Sequence, residues 1–124
     1  MLSFLTNLFK PQPPKAPDIT DETSMNFDRA EVAPFLSRLV AHPRLGLPQA
    51  MPGMVDQGLN DLAVDQTRIW TIDGELDGGP IQIRIEAFMD DIDAPDLSFY
   101  SSAQATALIE AELTRFDQDM RGGA

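Results

Sequence analysis

Val32, Phe35, Leu36, Leu39 and Val40 recur at the i, i+3, i+4, i+7, i+8 spacing that lines one face of a helix. The stripe follows Asp28-Arg29-Ala30-Glu31, which has the D-x-x-E spacing of a capping box, with Phe27 and Val32 placed to staple the entry. Pro34 has no N–H to give, so either the helix kinks there or its regular part begins near that residue. His42-Pro43 ends it. Ala105, Leu108, Ile109, Leu113, Phe116 and Met120 form a second helical stripe, opened by Ser101 and Gln104 as a capping box and closed by Gly122-Gly123.

Between the stripes the period changes. Residues 67–73 and 80–89 read as strands separated by GELDGG, and Asp77-Gly78 is a strong hairpin signal. With those two residues at the turn, Ile72 faces Ile83 and Trp70 faces Ile85, with Ile81 and Ala87 on the same side. Thr71 then opposes Arg84, Asp73 opposes Gln82 and Ile69 opposes Glu86. One apolar and one polar face is what a half-buried antiparallel pair requires. Pro43 to Pro52 reads as an apolar loop that lays Leu45, Leu47, Met51 and Met54 over the core. Residues 54–63 are expected to form a short helix, weakened by Gly58, with Val55, Leu59 and Leu62 inward. The acidic stretch from Asp90 to Asp96 reads as a solvated loop leading into the last helix.

A third, short stripe lies at the start. Leu2, Leu5, Leu8 and Phe9, with Phe4 beside them, oppose Ser3, Thr6 and Asn7 over residues 1–10. It lacks the basic flank and small-residue cleavage site of a secretory signal, and a membrane span needs ~20 apolar residues. Residues 11–24 begin PQPPKAP and read as a proline-rich linker, a semi-rigid arm of ~3 Å per residue. Residues 25–124 are expected to be one acidic α+β domain, a β-hairpin or small antiparallel sheet packed against two to three helices.

Charge sharpens this division. The net −11 of the 124 residues is the sum of a +2 segment, residues 1–17 with Lys10 and Lys15, and a −13 remainder whose seven arginines face twenty acids. Phosphate neutralisation drives nucleic-acid binding, so this balance argues against direct contact with nucleic acid. It favours a protein partner with a basic surface. The chain has no cysteine, so disulfides, thiolate metal sites and thiol nucleophiles are excluded.

Candidate chemistry is sparse. His42 is the only imidazole, and a Ser-His-Asp arrangement would have to join it to Ser24, Ser37, Ser98, Ser101 or Ser102. No G-x-S-x-G elbow is present, and a histidine before proline at a helix end reads as a cap on the last carbonyls. Asp73 to Gly78 matches the opening of a calcium loop, but Arg84 stands where that loop needs a bidentate glutamate, so the segment reads as a hairpin tip. Asp90, Asp91, Asp93 and Asp96 supply hard oxygens without a nearby histidine or glutamate, and read as an acidic contact patch before a metal site. No phosphate-cradling glycine motif occurs, and no catalytic residue, cofactor or metal is assigned.

The expected function is non-catalytic protein binding in the cytoplasm, as an adaptor, chaperone or immunity-type inhibitor. Leu2, Phe4, Leu5, Leu8 and Phe9 are the expected contacts of the N-terminal stripe, with the body, a partner or a second copy of the chain. The alternative is a peripheral adaptor at the inner face of a membrane, weakly held by residues 1–10. A small metal-dependent enzyme built on the 90–96 acids is the third expectation.

Overall fold

The computed structural model describes residues 19–122. The chain is α+β: five antiparallel strands form a curled sheet, with three helices. In order come β1 (Asp21–Asn26), α1 (Val32–Ala41), β2 (Leu45–Gly46), α2 (Met51–Asn60), β3 (Thr67–Leu76), β4 (Gly79–Asp91), β5 (Ala94–Ser101) and α3 (Ala103–Arg121). The strands lie in the order β1-β5-β4-β3-β2.

The β3–β4 hairpin has the register its side-chain pattern predicts. Trp70 opposes Ile85, Ile72 opposes Ile83, and Thr71, Asp73 and Ile69 oppose Arg84, Gln82 and Glu86. Asp77 and Gly78 form the two-residue turn with φ of 52° and 85°, the left-handed pair that matches strand twist. Trp70, Ile72, Ile81, Ile83, Ile85 and Ala87 are buried, so this face carries the core.

The region after the hairpin differs from expectation. The 90–96 stretch is not a loop into the last helix: it holds the end of β4, the Ile92-Asp93 turn and the start of β5, and β5 pairs with both β4 and β1. The pattern that marks β5 is short, with Pro95, Leu97, Phe99 and Ser101 buried and Asp96, Ser98 and Tyr100 half-buried. The acids and Pro95 mask it. A register shift between Phe88 and Asp91 places a bulge opposite Pro95, where a residue without an N–H is tolerated. At the other end, β1 takes in residues 21–24, which the proline-rich composition had assigned to the linker. Only Thr23 and Met25 turn inward there, too few to stand out as a period.

Helix ends are shifted by local chemistry. Residues 29–31 form a 3-10 turn and α1 starts at Val32, which leaves Pro34 in the first turn, where its missing N–H costs nothing. Asp28 makes no side-chain cap bond. α2 begins three residues earlier than predicted, with Pro52 in its first turn, and Met54 is exposed instead of lying over the core. Ser102, not Ser101, caps α3, its Oγ accepting from the Ala105 N–H; Ser101 is buried in β5 and its Oγ donates to the Gln82 carbonyl. Four phenylalanines join the layers: the Phe35 ring lies 5.3 Å from Phe27, 5.4 Å from Phe116 and 5.8 Å from Phe99. α1, β5 and α3 are thereby fixed around one centre.

Candidate functional site

Ion pairing consumes the arginines. Five of the seven are paired within the domain: Arg29 with Asp56, Arg38 with Asp119, Arg44 with Asp77, Arg115 with Glu112, and Arg121 with Glu31 and Asp117. The other two lie over aromatic rings, Arg68 over Trp70 and Arg84 over Tyr100. Between residues 19 and 122 there are nineteen acids; six are held in these pairs, and thirteen have no ion-pair partner among the described residues. The surface is therefore acidic with its own cations already committed.

The 90–96 acids are brought close by the β4–β5 turn but play different parts. Asp90, Asp91 and Asp93 are exposed at the turn. Asp91 Oδ1 accepts from the Asp93 N–H at 3.0 Å, which shapes the turn itself. Asp96 is half-buried on β5 and accepts from the Asn26 side chain at 2.6 Å, tying β5 to β1. Among the described residues, no three His, Asp or Glu side chains converge in a way that would hold a metal ion.

His42 ends α1 and faces α3. Its Nδ1 accepts from the Arg44 N–H at 3.1 Å, so the neutral ring carries its proton on Nε2, 3.8 Å from Glu112 Oε1. It thus caps the turn after the helix through an N–H, not the last carbonyls. Glu112 is buried although charged, and Arg115, one turn along α3, holds it. His42, Glu112 and Arg115 share an open groove with Arg44, Gln104 and Leu108, and none of the five candidate serines lines it. Among the described residues, then, the fold does not bring a candidate serine into the groove that His42 and Glu112 share.

One cleft was illegible in the sequence because it joins segments far apart in the chain. Thr23, Ser24 and Met25 of β1 form one wall, and Glu110, Leu113, Thr114 and Asp117 of α3 form the other, around ≈ 260 Å³. The α3 residues recur at i, i+3, i+4 and i+7, a second face of the helix beside the one that enters the core. No basic residue lines this cleft.

Leu2, Phe4, Leu5, Leu8 and Phe9 lie outside the described residues, as does the linker up to residue 18. No described helix is long and apolar enough to cross a membrane. No protein-family model, curated protein or solved structure matches the chain.

Proposed function

We propose that the domain is a non-catalytic module that binds a protein partner through complementary charge. The observation that carries this is the commitment of the arginines: with five in internal ion pairs and two stacked on aromatic rings, thirteen carboxylates remain to act on an approaching basic surface. Unscreened charges of one sign raise encounter rates with an oppositely charged partner and repel acidic ones. The exposed Asp90, Asp91 and Asp93 at the β4–β5 turn form one such contact patch. The partner has a basic surface, and adaptor, chaperone or inhibitor roles all fit that chemistry.

The test is affinity capture on the full-length chain from its native cell, with elution by a salt gradient. Basic proteins released as ionic strength rises, and captured less by a triple Asp90→Asn, Asp91→Asn, Asp93→Asn variant, support the assignment. Capture that resists high salt and ignores the triple variant overturns it.

A further inference from the structure

Sheet order leaves two edges, and they are unequal. β2 is two residues long, whereas β1 has six, paired to β5 without a register shift from Asp21 to Asn26. The Phe27 N–H donates to the Pro95 carbonyl at 2.9 Å, which sets the phase of the ladder. In antiparallel pairing the bonded positions alternate, so Thr23 and Met25 bond to β5 while the N–H and C=O groups of Glu22, Ser24 and Asn26 point off the sheet. Among the described residues no backbone bond from another element reaches them.

Natural sheets close such an edge with proline, charged side chains (lysine above all), a bulge or a covering element. The only charges on β1 are the acids Asp21 and Glu22, which oppose acidic strands and not basic ones. The sequence of β1, DETSMN, contains neither proline nor lysine, and its register carries no bulge. What stands beside it is the β1–α3 cleft, with Met25 and Leu113 as apolar surface, Thr23, Ser24 and Thr114 as neutral polar surface, and Glu110 and Asp117 as the charged members. Asp117 is paired with Arg121 at 2.8 Å; Glu110 has no ion pair among the described residues. Asp21 and Glu22 add two more acids on the strand itself.

We propose that the open edge of β1, with the β1–α3 cleft beside it, receives an extended lysine- or arginine-bearing segment of a partner protein as a sixth strand. This rests on the assignment of the domain as a binder of basic proteins and specifies how it binds. Main-chain bonds to Glu22, Ser24 and Asn26 supply affinity for any extended segment, and alternate side chains of the added strand enter the cleft, where the acids select basic ones. A second copy of this chain is the poorer occupant, because its β1 offers acids and neither lysine nor arginine to a cleft whose charged members are acids.

The experiment measures amide hydrogen exchange on the full-length chain with and without an octapeptide alternating valine and lysine. The amides of Glu22, Ser24 and Asn26 are expected to gain at least about tenfold protection, and a peptide with glutamate in place of lysine is expected to give none. Ser24→Pro removes an outward N–H, which edge strands tolerate, and should weaken peptide binding by about fivefold to tenfold, whereas Ser24→Ala should not. If Ser24→Pro fails to fold, exchange in the unaltered chain still decides. Protection already present in the free chain and lost when residues 1–18 are removed gives the edge to the chain's own N-terminal segment and overturns the proposal. Protection that rises with protein concentration gives it to a second copy and does the same. Salt-sensitive peptide binding that leaves these amides unchanged overturns the edge but not the assignment as a binder of basic proteins; failure to capture basic proteins overturns that assignment itself.

Discussion

The indole of Trp70 fills the space that a side chain on Gly58 would need: a Cβ at that position would lie 2.5 Å from Trp70 Cζ2. α2 therefore sits on β3 at a distance only glycine permits, and Trp70 is buried beneath it. Glycine is a poor helix residue, so Gly58→Ala brings a gain of up to about 1 kcal/mol in helix propensity. Overpacking a fixed indole costs about 1–3 kcal/mol and outweighs it. The variant is expected to unfold at lower denaturant, with altered fluorescence from the single tryptophan. A raised midpoint would show that α2 shifts freely and that the contact does not set its position.

That contact also marks the limit of what the pattern of residues can tell. Gly58 reads locally as a flaw in a helix, since nothing near it in sequence hints at an indole ten or more residues ahead. The hairpin was legible because both strands and their turn are contiguous, so one register satisfies every pair at once. β5 was not, because its inward residues begin with a proline and alternate with Asp96, Ser98 and Tyr100 behind Asp90, Asp91 and Asp93, and its partner β1 lies seventy to eighty residues earlier. The β1–α3 cleft shares that difficulty: each wall reads as an ordinary surface until the fold sets them side by side.

Asp77 has two duties at the hairpin tip. Its φ of 52° suits aspartate or asparagine, and its carboxylate takes two bonds from the Arg44 guanidinium at 3.0 and 2.7 Å. The Arg44 hydrogen bond holds the Asp77 carboxyl below its ordinary value of 3.8. A depressed folded-state pKa contributes stability that is present above the unfolded value and lost as pH falls through the folded one. Asp77→Asn keeps the turn geometry and removes that contribution. Urea midpoints of the variant and the native chain should therefore converge as pH drops below 3.8. Equal spacing at every pH counts against the pair. The pair is exposed, so the difference at neutral pH should be small.

Glu112 is buried, whereas Arg115 is 60 % exposed, so their pairing leans on one desolvated partner. Arg115→Ala leaves the carboxylate in its pocket without its guanidinium partner, with His42 Nε2 3.8 Å away as the remaining neighbour. Breaking a fully buried pair costs about 3–5 kcal/mol, and the exposure of Arg115 reduces this to about 1–2 kcal/mol. Adding Glu112→Gln should recover part of the loss, giving a coupling energy in a double-mutant cycle. Additive effects of the two substitutions would mean that the ion pair contributes nothing of its own.

Tyr100 is the only tyrosine, so its ionisation can be followed by phenolate absorbance without interference. Burial pushes its phenol above the ordinary 10.0, and the neighbouring carboxylates of Glu22 and Glu86 push it the same way, since a phenolate would meet two negative charges. Ser98 acts in the opposite direction, and the Arg84 guanidinium lies 4.6 Å from the ring centre. A phenol with a raised folded-state pKa keeps its proton in the native chain after the unfolded chain has lost it. Its contribution to stability is then complete below 10.0 and is lost as pH rises through the folded value. Native protein should therefore titrate above 10.0, and unfolded protein in denaturant near it. Glu22→Gln removes one carboxylate and should bring the native midpoint down, while Tyr100→Phe should flatten the alkaline fall in stability. A native midpoint at or below 10.0 would mean that Ser98 and the Arg84 guanidinium outweigh burial and the two carboxylates.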